Sequence, residues 1–283
     1  NFSCEASVGG GIPILMPLHQ SLAANQIESI VGILNGTTNY ILSQMTETGV
    51  NYANALADAQ KQGFAEADPT NDVCGFDAAR KLAILSSIGF RANVTFDDVL
   101  VEGIEKIDKS DIQYAKDMGY TIKLLTVALR QENGIALNVY PAFLPDNHPL
   151  SSVKGAYNAI YVTGNIVDDV MFYGRGAGAL PTASAVMGDV ISTAQHILNG
   201  STGTGMIMTD TKRIPFYSSL KLQNSYYFRL DVDDVTGVLS QIAAAFAEND
   251  ISICEVVQKR KTKGLAELVL ITELASRESI LQV

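Results

Sequence analysis

Between Tyr120 and Gly174 the chain carries four successive strand signals and no helical one. They lie at 120–129 and 135–141, around the turn RQENG, and twice more within NAIYVTGNIVDDVMFYG at 158–174. Strands joined by so few residues form hairpins, because a parallel return needs a crossover of about a dozen residues or more. The helical signals are gathered elsewhere and no regular βαβ rhythm appears. The chain therefore reads as α+β rather than as a doubly wound sheet.

Ahead of the hairpins, IESIVGIL at 27–34 is apolar and β-branched after Glu28, a buried strand that runs into the turn NGTTN. Asn39 is placed to cap a helix from about Tyr40 to Thr48, ended by Gly49. A second helix, about Tyr52 to Gln62, puts Ala55, Leu56 and Ala59 on one face and stops at Gly63. A third, Phe76 to Ile88, buries Ala78, Leu82, Ala83, Leu85 and Ile88, with Gly89 as its stop. After the hairpins, GRGAGALPTASAVMGDVISTAQHIL leads from a glycine turn through Pro181 and Thr182 into a helix ending near Leu198.

The stretch 199–224 is polar, glycine-bearing and without a period, which marks a boundary. It divides the 283 residues into a domain at 1–200, a linker at 201–223 and a smaller domain at 224–283. The smaller part reads strand, helix, strand, strand, and a further helix begins at Ser276.

Thirty acidic residues against twenty basic ones give a net charge of -10, a poor field for nucleic acid or anionic membrane. No apolar run approaches the roughly 18 residues of a membrane span. Cys4, Cys74 and Cys254 lack CxxC spacing and read as free thiols of a cytoplasmic protein. His19, His148 and His196 are scattered, without partners at metal or triad spacing. The N-terminus, NFSCEASVGGGIPI, has no signal-like core and reads as the middle of a protein.

The chemistry concentrates in GFAEADPTNDVCGFDAARK, 63–81, where Glu66, Asp68, Asp72 and Asp77 precede Arg80 and Lys81. Asp77 and Lys81 are four apart and share a helix face, and an Asp in a first turn is favoured by the helix dipole. A solvated loop followed by an exposed ion pair, worth ~0 to 1 kcal/mol, accounts for these residues. So does a carboxylate cluster closing on a lysine, able to bind an ammonium group, orient a hydroxyl and supply a proton. Spacing leaves both readings open. The glycines at 174, 176 and 178 are equally open between close packing and approach to a ligand, and EASVGGGIPI at 5–14 reads as a tight turn.

Three segments in this order, GILNGTTNYIL (32–42), GFAEADPTNDVCGFDAARKLAIL (63–85) and YGRGAGALPTASAVMGDV (173–190), resemble homoserine dehydrogenase, and the likeness extends from about Glu5 to Leu198. That family interconverts aspartate β-semialdehyde and homoserine with NAD or NADP. The resemblance implies a substrate and dimerisation domain built on a mixed β-sheet with helices on one face. It also implies that the chain starts after a dinucleotide-binding domain, whose GxGxxG turn and lysine are missing, so that it does not turn over alone.

By motif, Lys81 resembles the proton donor to the aldehyde oxygen, with Asp77 holding that lysine or the substrate. Glu66 resembles the ligand of the ammonium group, Asp72 lines the same pocket, and Gly36 and Thr37 belong to the substrate-facing loop. Gly176 and Gly178 resemble the backbone that closes over the nicotinamide end of the cofactor. The carbonyls of Glu5, Val8, Gly10 and Ile12 correspond to a site for sodium or another monovalent cation. Phe64 stands where many relatives have Tyr. The resemblance further implies a homodimer or homotetramer.

The segment 224–283 resembles an ACT domain, a ferredoxin-like βαββαβ module, cut short before its second helix is complete and its last strand begins. Threonine is the ligand such a tail implies, near Asp233 and Gly237; Thr236 replaces a common proline. A second reading is a catalytically silent amino-acid sensor working through that module. The retention of Glu66, Asp77 and Lys81 argues against it.

Overall fold

The computed structural model of the chain describes residues 3–201, 214–260 and 264–283. The chain divides between Phe216 and Tyr217 into two units. The expected linker 201–223 falls largely outside the described residues.

In the first unit the apolar segment read as a buried strand is β1 (Ile27–Ile33). Four helices follow: α1 (Gly36–Thr48), α2 (Tyr52–Lys61), the single turn α3 (Thr70–Val73) and α4 (Phe76–Gly89). Then come β2 (Leu100–Val101), α5 (Lys109–Asp117), the hairpins β3 (Tyr120–Gln131) with β4 (Gly134–Pro145) and β5 (Tyr157–Gly164) with β6 (Asp168–Arg175), and α6 (Ala179–Leu198). The strands form one mixed sheet in the order β2-β4-β3-β1-β5-β6. β1 lies between the two hairpins, antiparallel to β3 and β5, and only β2 with β4 is parallel.

Register sorts the side chains onto two faces. Ile30 pairs with Ala128 and Val162, and Ala128 pairs with Leu137, so these four share one face. They pack in one core with Ile41, Leu42 and Met45 of α1 and Leu82 and Leu85 of α4. Each fully buried Leu or Ile there contributes roughly 2 kcal/mol. The opposite face buries Ile33, Leu125, Val127 and Leu144 beneath Leu150 and Val153 of the turn after β4. Beside them Val31, Tyr140, Tyr161 and Met171 are only partly covered.

Three boundaries differ from expectation. α1 starts one turn early, because Asn35 rather than Asn39 is its cap: the Asn35 side chain accepts from Thr38 N at 2.9 Å. Asn39 lies inside the helix, where its amide donates to the carbonyls of Val153, Gly155 and Tyr157. Gly89 is the last residue of α4 and not its stop. A Cβ there would lie 2.7 Å from Ile30 Cδ1, so the missing side chain lets α4 settle on β1. α6 begins at Ala179, with Pro181 inside its first turn rather than ahead of it. Gly49 does end α1, in the left-handed conformation at φ 70. α5 was not foreseen, although the reciprocal cap of Asp108 and Asp111 that starts it is a sequence signal.

The second unit holds β7 (Gln223–Asn224), β8 (Tyr227–Asp233), α7 (Val238–Glu248), β9 (Ile253–Arg260), β10 (Leu265–Thr272), β11 (Ala275–Ser276) and the turn α8 (Arg277–Ile280). β10 lies between β8 and β9, antiparallel to both. Phe246 of α7 packs with Leu268 and Leu270 of β10. No helix among the described residues is long and apolar enough to cross a membrane.

Two glycine turns meet in the first unit. Gly11 N donates to Arg175 O at 3.0 Å, and a Cβ on Gly10, at φ +54, would fall onto the Gly176 carbonyl. Lys123 of β3 is 2 % exposed, and its Nζ donates to Asn39 Oδ1 at 2.9 Å and to the Val153 carbonyl. Burial pushes its pKa down to about 8; Lys154 adds to this and Glu47 opposes it.

These two features give two predictions. Gly10→Ala combines left-handed strain with a backbone collision and is expected to cost about 3 kcal/mol or more. Gly63→Ala, at φ +77 with nothing within 4 Å, carries strain alone, about 1 to 2 kcal/mol. Equal losses in urea titrations of the two variants would show that the contact with Gly176 is not tight. For Lys123, the unfolded chain holds a proton that the folded one releases between pH about 8 and 10.5. Stability from this group therefore rises with pH across that window and is lost as pH falls through 8. Lys123→Met should flatten that rise in thermal melts, and an unchanged slope would exclude Lys123 as its source.

Candidate active site

The ladder around β1 ends where Ile33 pairs with Ala159, itself the partner of Tyr173 in β6. Register therefore brings the NGTTN segment and the glycine turn after β6 to the same end of the sheet. α4 delivers the remaining groups. Asp77 sits in its first turn and Lys81 one turn later, as expected for an i, i+4 pair.

Lys81 Nζ donates to Asp77 Oδ2 at 2.6 Å and to the Leu34 carbonyl at 3.1 Å. The two side chains are 21 % and 32 % exposed, so the pair lies at the surface of the core rather than within it. Asn35 completes the group. Its Nδ2 donates to Asp72 Oδ1 at 2.6 Å and to Asp77 Oδ2 at 2.9 Å, while its Oδ1 takes Thr38 N and Thr38 Oγ1. Asp72, Asp77 and Lys81 are thus brought together around a residue that the sequence reading did not single out. The signal was present: a cap-forming Asn directly after a buried strand.

The other residues of the acidic stretch separate. Asp68 bonds Thr70 N and Thr70 Oγ1 at 3.1 and 2.6 Å, a turn-forming role ahead of α3. Glu66 is exposed, its backbone carbonyl accepts from Gln60 Nε2, and its carboxylate makes no bond to the Asn35 group among the described residues. Thr37 is buried and donates its hydroxyl to the Phe64 carbonyl, which ties α1 to the loop carrying Glu66. The Phe64 ring lies 4.6 Å from that of Tyr40, whose hydroxyl is held by Asp58 and pushed up to about 12. A Cβ on Gly36 would meet the Ala156 carbonyl at 3.0 Å.

Arg80 turns away from Lys81, bonding Asn71 Oδ1 at 3.1 Å and lying over the Phe96 ring. Cys74, between the two aspartates, donates to Glu105 Oε1 at 2.8 Å. That bond and burial push its thiol up to about 11, so it is protonated and a poor nucleophile at neutral pH.

At the glycine turn, the space a Cβ would need on Gly176 is filled by the amide of buried Asn158. Close packing therefore accounts for the missing side chain there, while the backbone of Gly176 remains part of the turn that leads into α6. Gly178 is different: it sits at φ +122 as the first flanking residue of α6, where its Cβ would meet only Pro181, at 3.4 Å.

At the other glycine turn, the buried Glu5 carboxylate is taken up by the N–H groups of Ile14, Leu15 and Met16, and Glu5 N donates to Asp189 Oδ2 at 3.0 Å. The carbonyls of Val8, Gly10 and Ile12 accept no backbone hydrogen bond outside the regular elements among the described residues. No group of three or more His, Cys, Asp or Glu side chains among the described residues is arranged to hold a metal.

The homoserine dehydrogenase family profile matches residues 13–191. The chain is 44 % identical over 276 residues to the homoserine dehydrogenase of Corynebacterium glutamicum, covering 96 % of this chain and 61 % of that protein. It is 45 % identical over 282 residues to that of Mycobacterium tuberculosis, covering 96 % and 64 %. The crystal structure of a homoserine dehydrogenase from Thiobacillus denitrificans superposes with a TM-score of 0.93 at 38 % identity, over 99 % of this chain and 65 % of that one. A hyperthermophilic archaeal homoserine dehydrogenase in complex with NADPH gives 0.57 at 28 % identity, over 68 % and 55 %. The chain thus spans between 55 % and 65 % of the length of these relatives. With the profile covering most of the first unit and the matched segments carrying the Asn35, Asp72, Asp77 and Lys81 group, the chain belongs to the homoserine dehydrogenase family.

Proposed function

We propose that this chain forms the substrate-binding and catalytic part of a homoserine dehydrogenase, which reduces L-aspartate 4-semialdehyde to L-homoserine with NAD or NADP. The observation that carries the reading is the Lys81 ammonium, fixed between the Leu34 carbonyl and Asp77. Of its three N–H groups, two have these partners, and the third is left for a substrate oxygen.

The bound cofactor supplies or accepts the hydride. As hydride reaches the aldehyde carbon, charge develops on the oxygen, and Lys81 stabilises that charge more than it stabilises the ground state. Lys81 Nζ then gives its proton to the oxygen; in the oxidative direction it takes the proton back. Asp77 holds the ammonium in place at 2.6 Å. Glu66, on the loop tied down by Thr37, is exposed and free to take the ammonium end of the substrate, and Asp72, held by Asn35, lines the pocket from the Lys81 side.

Gly176 and Gly178, in the turn that leads into α6, are the backbone that approaches the nicotinamide end in this reading. α6 leaves Leu180, Val190 and Ile191 exposed, an apolar surface suited to the nucleotide-binding part of such an enzyme. The free carbonyls at the Glu5–Ile12 turn fit sodium or another monovalent cation. The partly covered sheet face around Val31, Tyr140, Tyr161 and Met171 fits a second copy, as a homodimer or the core of a homotetramer. The strand order β8-β10-β9 with α7 on one face agrees with an ACT module binding threonine near Asp233 and Gly237. A cytoplasmic enzyme of amino-acid biosynthesis fits these features. The Lys81–Asp77 pair weighs against a silent sensor.

In the full-length protein, Lys81→Ala should lower kcat by ~10²- to 10⁴-fold while KM changes far less. Retained kcat would remove Lys81 from the proton transfer. Glu66→Gln should instead raise KM for homoserine by about tenfold to a hundredfold, the loss of one charge-assisted hydrogen bond. An unchanged KM would move the ammonium site elsewhere.

A further inference from the structure

We infer that Asn35 is a positioning residue for the reaction, whose single amide sets the placement of both Asp72 and Asp77 and, through Asp77, of Lys81. The inference rests on the homoserine dehydrogenase reading of the site and goes beyond its named residues.

Asn35 is 4 % exposed, and all of its hydrogen-bonding capacity is engaged. Its two N–H groups go to different carboxylates, Asp72 Oδ1 at 2.6 Å and Asp77 Oδ2 at 2.9 Å. Its oxygen takes Thr38 N at 2.9 Å and Thr38 Oγ1 at 3.0 Å. These partners fix which way the amide points, since a flipped amide would set its oxygen against two carboxylates and its N–H groups against a backbone N–H. Asp77 Oδ2 receives Asn35 and Lys81 together. Asp72 Oδ2 and Asp77 Oδ1 are then the oxygens without a hydrogen bond among the described residues, and the amide determines where they face.

A helix cap alone does not require Asn, because Ser and Asp cap about equally well. The two carboxylates do. They come from α3 and from the first turn of α4, they carry like charge, and the Asn35 amide bonds to both. Ser at position 35 would keep the cap and lose the bridge. Asp would keep the cap and add a third negative charge.

The test compares wild type, Asn35→Ser and Asn35→Asp in the full-length protein, measuring kcat and KM for homoserine oxidation together with Tm. Asn35→Ser is expected to melt within about 5 °C of wild type. It should lose at least about tenfold in kcat and show a raised KM. Asn35→Asp should lose at least about a hundredfold in kcat/KM. A merely structural role would reduce the folded fraction, lowering apparent kcat with KM unchanged, and that result would overturn the inference. So would wild-type kcat and KM in folded Asn35→Asp, even if the Ser variant failed to fold. If the wild-type protein itself oxidised no homoserine, the enzymatic reading would fail, which is a separate outcome.

Discussion

The active group depends on how β1 ends. The ladder stops at Ile33, and the next polar groups, the Leu34 carbonyl and the Asn35 side chain, have no strand beside them to bond. Buried polar groups need partners. Lys81 meets the first and the two aspartates meet the second. The same helix also touches β1 at its other end, where Gly89 faces Ile30. From Lys81 to Gly89 is eight helical residues, about 12 Å, and from Ile30 to Leu34 is four extended residues, about 13 Å. α4 therefore runs antiparallel along β1 with both contacts made at once. A glycine at one end of the helix and a lysine nearer the other express a single packing register.

That register explains why charge gathers here without being deeply buried. The core beneath α4 is apolar, with Leu82 and Leu85 fully enclosed, while Asp77 and Lys81 stay about a quarter exposed. Full burial of such a pair would cost more in desolvation than attraction returns. Full exposure would let water and salt weaken it. The intermediate position shields the pair on the core side and leaves it reachable from the other.

Much of this was legible in the sequence because it is periodic or punctuated. The buried run 27–34, the apolar face of Phe76–Ile88, the two hairpins and the Asp77–Lys81 spacing follow from local pattern, and the structure carries them with small shifts. What was not legible depends on contacts between distant segments. Asn35 and Asn39 are equally good caps in isolation, and the choice falls on Asn35 because Val153, Gly155 and Tyr157 claim the other amide. Gly89 reads as a helix stop until Ile30 is beside it. The need for a glycine at 176 shows only once the Asn158 amide is beside it. Glu66, Asp72 and Asp77 look alike in a row of carboxylates, yet two share one amide and the third stands apart.

The anchoring of Lys81 also bears on why a lysine suits the proposed role. Its ammonium is a compact charge on a flexible stem with about 2 kcal/mol of rotamer entropy. The Leu34 carbonyl and the Asp77 carboxylate remove that freedom in the folded chain, so that in the proposed reaction the cost of ordering falls on folding. Arginine would spread its donors over a planar fork rather than bring one nitrogen to both oxygens, and in the proposed reaction would hold its proton too tightly to transfer it. The two anchors therefore do separate work: the carbonyl fixes direction, which a neutral dipole can do without adding charge, and the carboxylate sets an opposite charge 2.6 Å from the nitrogen, apart from the N–H left for the proposed substrate oxygen.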